Sequence, residues 1–307
     1  MMALVPFDDR NGWIWLDGAF APWREAKVHV LTHALHYGSA VFEGERMYGG
    51  RIFALEEHTD RLFRSAQLLD FAIPYSKATI NRACNETCAR NGLTDCYIRP
   101  IAWRGSEQLS VSALNTRIHV AIAVWQWPKY FDEAKRMRGI RLCWAEYDRP
   151  PPTAAPTAAK AVGLYMICTI SKNIAERAGY EDALMLDSNG NIAETTGANI
   201  FFVRDGALHT PLADCFLDGI TRRTVIRLAK ERGLAVHERR IRPQELESFS
   251  ECFVVGTAAE VTPVGEIGEH TFTPGELTHA LMEAYEALVR TPDPMPEQLV
   301  ERAAASL

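Results

Sequence analysis

Two periods of apolar spacing divide the chain. Over 54–72, Leu55, Leu62, Phe63, Ala66 and Leu69 recur at helical spacing. Glu56, Glu57 and Asp60 fall in the early turns, where the helix dipole favours negative charge. A second helix follows, with Ser76 placed to cap its start and Gly92 near its end. Strand-like apolar runs then appear at 96–103 and 117–125. Ahead of both helices, 12–20 reads as a short hairpin that turns at Asp17-Gly18. Together these elements predict a small α+β unit over 1–125.

The pattern breaks after that. Pro128 opens an irregular stretch, and 126–136 reads as an interdomain connection. A strand is expected at 139–145, followed by a Pro-rich approach to a site at 148–157, where Pro150, Pro151, Pro152 and Pro156 cluster. Further on, strands are expected at 182–187, 199–203 and 252–256, and helices at 163–178 and 219–232. Gly179 and Gly233 stand where helix C-terminal glycines belong. The second domain therefore spans 137–307, and the fold class is α+β.

Composition narrows the function without naming it. The 307 residues are 47% hydrophobic and 23% charged, an ordinary globular balance with ample core for two domains. A net charge of -6 gives no reason to expect nucleic acid or an anionic membrane as partner. The seven cysteines are scattered, with no Cys-x-x-Cys pair, so neither a disulfide framework nor a metal site is expected. Cys84 and Cys88 share a helical face and read as buried thiols. No apolar run reaches membrane-spanning length, and the N-terminus, with Asp8, Asp9 and Arg10, lacks a signal-peptide core; the cytoplasm is the expected location.

Four segments carry chemistry. In Pro156-Thr-Ala-Ala-Lys160-Ala-Val-Gly-Leu-Tyr165, a lysine sits among small and apolar residues. Burial lowers an amine's pKa, and a neutral amine can attack an aldehyde to form a Schiff base; an exposed lysine at a helix start is the plain alternative. In 191–202, Glu194 precedes a small-residue stretch and an apolar strand. A carboxylate held there could keep a cofactor's ring nitrogen protonated, or be a surface glutamate at a strand end. In Leu217-Asp-Gly219-Ile220-Thr221-Arg222, a glycine leads into a helix whose free N–H groups suit a phosphate, unless Asp218 caps it. Gly256-Thr257-Ala258-Ala259-Glu260 is a turn of small residues that lets an anion approach the backbone.

In this order the four segments resemble the landmarks of the class-IV, fold-type IV, pyridoxal-phosphate (PLP) aminotransferases. Glu194-x4-Asn199-Ile-Phe, then Leu208-x-Thr210 and Leu217-x-Gly-Ile-Thr-Arg222, resembles the class signature. Tyr37-Gly-Ser-Ala-Val-Phe42-Glu-Gly44 and Glu57-His-Thr-Asp-Arg61-Leu resemble its small-domain motifs, so the likeness runs from about residue 13 to 267. The resemblance implies a larger C-terminal domain with a mixed, barrel-like sheet and PLP as cofactor. It implies that Lys160 carries the cofactor and shuttles protons, that Glu194 pairs with the ring nitrogen, and that Tyr165 hydrogen-bonds the ring oxygen. Arg61, Ile220, Thr221 and Thr257 would hold the phosphate.

Within the class, Tyr97-Ile-Arg99 resembles the branched-chain subgroup. Strand period two puts Tyr97 and Arg99 on one face, where a phenol and a guanidinium can grip carboxylates. The resemblance implies that Tyr97, with the backbone at Thr257-Ala258, binds the α-carboxylate, and that Arg99 meets the distal carboxylate of glutamate. Phe42, Tyr37, Tyr130 and Tyr165 are candidates for the apolar wall. The implied partners are amino acids and 2-oxo acids, and a second copy of the chain, since the family's loop at 107–112 crosses to a partner's site; Leu109 and Val111 would line the neighbour's pocket. This loop, Glu107-Gln-Leu-Ser-Val-Ser112, departs from the usual glycine-rich pattern. Another class-IV transaminase, acting on D-amino acids or (R)-amines, and a PLP-binding protein without turnover remain the alternatives.

Overall fold

The computed structural model describes residues 5–127 and 137–291. The N-terminal elements are strands β1 (Trp13–Leu16) and β2 (Ala19–Pro22), the short helix α1 (His33–Tyr37), strands β3 (Ala40–Phe42), β4 (Glu45–Tyr48) and β5 (Arg51–Ile52), helices α2 (Leu55–Leu68) and α3 (Lys77–Arg90), and strands β6 (Cys96–Arg104) and β7 (Ile118–Trp125). They build a seven-stranded sheet in the order β2-β1-β7-β6-β4-β5, with β3 also on β6. The expected hairpin forms: Asp17 and Gly18 both take positive φ, and Leu16 pairs with Ala19. Ser76 accepts the Thr79 N–H and caps α3 as expected. Helix α2 ends at Leu68, short of residue 72, because Asp70 enters the left-handed region at φ 56° and turns the chain back.

Strand β6 has two working faces. Cys96, Ile98 and Ala102 are buried in a core with Leu62, Ile80, Cys84 and Cys88 from α2 and α3. Tyr97, Arg99, Ile101 and Trp103 point the other way. The alternation read in the sequence therefore separates a packing face from a chemical one.

The C-terminal elements are β8 (Ile140–Trp144), α4 (Tyr165–Arg177), β9 (Asp182–Leu186), β10 (Ile192–Thr195), β11 (Asn199–Arg204), β12 (Ala207–Thr210), α5 (Ile220–Glu231), β13 (Val236–Glu238), β14 (Glu251–Gly256), β15 (Glu260–Ile267), β16 (His270–Thr271) and α6 (Glu276–Arg290). Their nine-stranded sheet runs β10-β9-β8-β15-β14-β11-β12-β13, and β10 also pairs with β11. That last pairing closes six strands into a ring, and the residues that make it are Glu194 and Asn199. Parallel β8–β9 and β8–β15 pairs make the sheet mixed. Strand β11 is apolar from Ile200 to Val203 because both faces are covered: Ile200 and Phe202 enter one core, Phe201 and Val203 another beneath α5 and α6. Tyr48, from the N-terminal sheet, is buried in that second core. No helix among the described residues is long and apolar enough to cross a membrane.

Candidate active site

Lys160 lies where the two sheets meet. Its carbonyl accepts the Phe42 N–H at 3.1 Å, and its own N–H donates to Ser65 Oγ at 3.0 Å. The backbone around the amine is thus pinned to β3 and α2. Its side chain enters a cavity lined by Arg61, Arg149, Tyr165, Glu194, Asn199, Ile220, Thr221 and Thr257, with an empty volume of about 620 Å³, part of it open to solvent. The Lys160 Nζ donates to Tyr165 OH at 2.9 Å. Burial, and then the Arg61 guanidinium, lower the Lys160 pKa and so enlarge its neutral fraction. This disfavours the exposed-lysine alternative.

Glu194 is also in the cavity wall, 13% exposed. Asn199 Nδ2 donates to its Oε2 at 3.1 Å and to the Leu217 carbonyl at the same distance, so one amide orients both the carboxylate and the loop before α5. Burial pushes the Glu194 carboxyl up to about 7, while Arg149, with Nε 3.4 Å from Oε1, pulls it back down. Arg149 is itself buried, 4% exposed. Sequence reasoning misses it, although it opens the Pro-rich approach.

The anion side is open backbone. Helix α5 begins after Gly219 with no side-chain cap, so Asp218 does not occupy the helix start; it pairs instead with Arg222 at 2.7 Å. The first-turn N–H groups of Ile220 and Thr221 are left facing the cavity. A Cβ at Gly219 would collide with the Asn199 side chain that holds Glu194, so this wall needs bare backbone. Thr257 faces the same space, and Ala258 follows it in the turn.

Arg61 completes the cup from α2. It is 6% exposed and held in a bidentate pair by Glu43, Nε to Oε1 at 2.6 Å and Nη2 to Oε2 at 2.8 Å. His58 Nδ1 sits 2.6 Å from Glu43 Oε2. Burial alone would raise the Glu43 pKa, but Arg61 and then His58 hold the carboxyl well below the usual range. Glu43 and His58 stand inside the small-domain motifs without a role that the sequence reveals; only their burial against Arg61 exposes one.

Beyond Lys160 lies the face carried by β6. Phe42 sits 4.8 Å from the Tyr165 ring, edge on, and 4.9 Å from Lys160 Nζ. The Arg99 guanidinium lies 4.7 Å from the same Phe42 ring, and Arg99 Nη2 donates to Tyr97 OH at 3.0 Å. Trp125 and Trp127 flank Tyr97 at 5.0 and 4.9 Å, two wall residues that the sequence reading does not single out. Tyr130 lies outside the described residues, as does most of the expected connection at 126–136. Phe42, Tyr97 and Arg99 adjoin the Lys160 cavity without lining it, and Tyr37 is not brought to it. It is 49% exposed and stacks 4.6 Å from His33, whose Nε2 is 2.9 Å from the Ser110 carbonyl. Tyr37 therefore stands beside the loop that carries Leu109 and Val111, 43% and 85% exposed.

The paired sheets, with a closed six-stranded ring in the second and a lysine at their junction, define a fold-type IV architecture. The profile for amino-transferase class IV matches residues 40–267, and the chain belongs to that family. A branched-chain-amino-acid aminotransferase of Pseudomonas aeruginosa is 41% identical over 288 residues, covering 92% of this chain and 94% of that one. The crystal structure of the T.th. branched-chain amino acid aminotransferase with pyridoxamine 5'-phosphate superposes with a TM-score of 0.89 at 40% identity, covering 92% of this chain and 96% of that one. The branched-chain aminotransferase from the archaeon Thermoproteus uzoniensis with norvaline gives 0.87 at 37% identity, covering 92% and 95%.

Proposed function

We propose that this chain transfers the amino group between L-branched-chain amino acids and 2-oxoglutarate, with pyridoxal 5'-phosphate as cofactor. The residues fit that group: an amine of lowered pKa, a carboxylate across the cavity, and a cup of uncapped helix N–H groups beside a buried guanidinium. When bound, the cofactor supplies an aldehyde for the Lys160 amine and an electron-withdrawing ring. Lys160 Nζ takes and returns the substrate Cα proton, and the Tyr165 hydroxyl, 2.9 Å from it, orients the amine and binds the ring oxygen. Glu194 keeps a proton on the ring nitrogen. Arg61, the α5 start and Thr257 hold the phosphate, and Tyr97 with the Thr257-Ala258 backbone holds the α-carboxylate.

The observation that carries the substrate reading is the single Phe42 ring between Lys160 Nζ and Arg99. A substrate side chain that leaves the Lys160 cavity past Phe42 would meet an aromatic ring and, next to it, a guanidinium for a distal carboxylate. Single-turnover loss of the cofactor's visible band tests it: L-leucine and L-glutamate should react, D-alanine and (R)-1-phenylethylamine should not. Arg99→Ala should slow the glutamate half-reaction by about 10- to 150-fold, the scale of one charge-assisted hydrogen bond, and the leucine one far less. Reaction confined to the D-amino acid or the (R)-amine would transfer the chain to another class-IV activity. Equal losses with both L-substrates would place Arg99 on the shared α-carboxylate.

We read the two sheets as separate domains joined through 126–136, and the working enzyme as a cytoplasmic homodimer or a higher assembly of dimers. The exposed Tyr37, Leu109 and Val111 support the assembly, since a lone chain would leave them in water.

A further inference from the structure

The turn that carries Thr257 and Ala258 ends in an oddity. Glu260 closes the three-residue connection between β14 and β15, opposite Gly256, and takes φ 53°. Glycine or asparagine is the usual occupant of such a position, because a side chain there costs backbone strain. Glu260 keeps its side chain for what it reaches. Its Oε1 accepts from Tyr48 OH at 2.9 Å and lies 3.3 Å from Arg46 Nη1, both on β4 of the other sheet. The Arg46 and Glu260 side chains are only 9% and 16% exposed.

The contacts continue inward. Tyr48 is buried among residues of the C-terminal core together with Tyr285 of α6. Glu260 thus ties the Thr257 turn to Arg46 and Tyr48 of β4, behind the cavity. Arg51, on β5, holds the far end of α6 by donating to the Leu288 and Val289 carbonyls at 3.1 and 3.3 Å.

We propose that Arg46, Tyr48 and Glu260 are positioning residues that fix the Thr257 turn of the anion cup, and so set the chain's affinity for the phosphate of its cofactor. None of the three lines the cavity. Their action is to hold the turn's main chain where it meets the phosphate. N–H groups aimed in advance bind an anion better than groups that must first be ordered. The proposal rests on the reading that this turn holds phosphate, and its test separates the two.

Apoenzyme is titrated with pyridoxal 5'-phosphate and with pyridoxal, which has the same aldehyde and no phosphate, following the visible band. Wild type should prefer the phosphorylated form strongly, and Arg61→Ala should narrow that preference. Tyr48→Phe, which removes one oxygen atom, should weaken pyridoxal 5'-phosphate by about 5- to 10-fold, the order of one buried hydrogen bond, and leave pyridoxal within about 2-fold. Glu260→Gln should do at least as much, and if it does not fold the phenylalanine variant carries the test alone. Equal weakening of both ligands, or no weakening of either, overturns the positioning role while Arg61→Ala still narrows the preference. If Arg61→Ala leaves the preference intact, the cup itself has been misplaced and the positioning role falls with it.

Discussion

The wall of the cavity and the face around Tyr37, which does not line it, are built on different terms. The cofactor-facing wall is tied into its own chain: Lys160 to Tyr165, Ser65 and Phe42, Glu194 to Asn199 and Arg149, Arg61 to Glu43. The face around Tyr37 and the 105–116 loop is ordered in its backbone but not covered. His33 ties α1 to Ser110, and Glu107 accepts the Arg117 N–H at 3.0 Å, yet Leu109, Val111 and Leu114 stay in water, the last 80% exposed. The wall is finished by intrachain bonds; the face is shaped for something outside the chain. Substitutions in the first should therefore damage the chemistry directly, and substitutions in the second should act through assembly.

The largest effect is expected at Lys160. Lys160→Ala removes both the attachment point and the proton carrier, and turnover of L-leucine with 2-oxoglutarate should drop by about 10⁴-fold or more. Borohydride reduction of the wild-type holoenzyme should fix the cofactor on Lys160. A label on Lys172, whose Nζ donates to the Glu181 carbonyl, would move the chemistry to a different amine.

Glu194→Gln comes next. The amide keeps the shape and one acceptor for Asn199 but loses the charge, so kcat should fall by about 10²-fold or more, with a smaller change in KM. Unchanged kcat would mean that the ring nitrogen is served by another group. The exposed face should respond differently. Val111→Asp places a charge where the proposed assembly has an apolar contact, and the proposed dimer should dissociate about 10- to 100-fold more readily. Specific activity should then fall on dilution while the melting temperature of the isolated chain stays put. Full activity from a dilute monomer in light scattering would sink the idea that the exposed face needs a partner.

Much of this contrast is legible in the sequence, and the illegible part has a physical pattern. Periodicity locates the helices and the main strands because each buries one face, and the two faces of β6 follow from alternation alone. The landmarks Lys160, Glu194, Thr221 and Thr257 stand out only as an ordered set that resembles the class-IV aminotransferases, since each segment alone has a plain alternative. The four-residue strands β10 and β12 do not, since short strands in a two-sided sheet lack alternation. Glu43, His58 and Arg149 escape for another reason. Each acts through a partner distant in sequence, Glu43 on Arg61 and Arg149 on Glu194, and a charge read alone defaults to a solvated surface. Tyr37 shows the reverse error of scale: as an aromatic in a motif it reads as a wall residue of its own pocket, whereas the fold sets it on the uncovered side.

The smallest expected effect concerns pH and tests whether the cavity wall is complete before its cofactor arrives. Burial pushes the Glu194 carboxyl up to about 7 in the cofactor-free chain, against an ordinary value of 4.5. A carboxyl raised in this way is protonated in the folded chain while the unfolded chain has already released its proton. Its contribution to stability is therefore fully present below about 4.5 and is lost as pH rises through about 7. Glu43, held low by Arg61, works in the opposite sense and loses its contribution in acid, but wild type and Glu194→Gln share it, so it cancels in their difference. The apo wild type should thus lose melting temperature relative to apo Glu194→Gln between pH 5 and pH 8, by about 2–4 °C for each kcal/mol. With cofactor bound, the protonated ring nitrogen compensates the carboxylate, and the trend should flatten or reverse. A flat difference in the apo forms would mean that Arg149, 3.4 Å away, already keeps Glu194 ionised, and that this wall needs nothing from the cofactor to settle its charge.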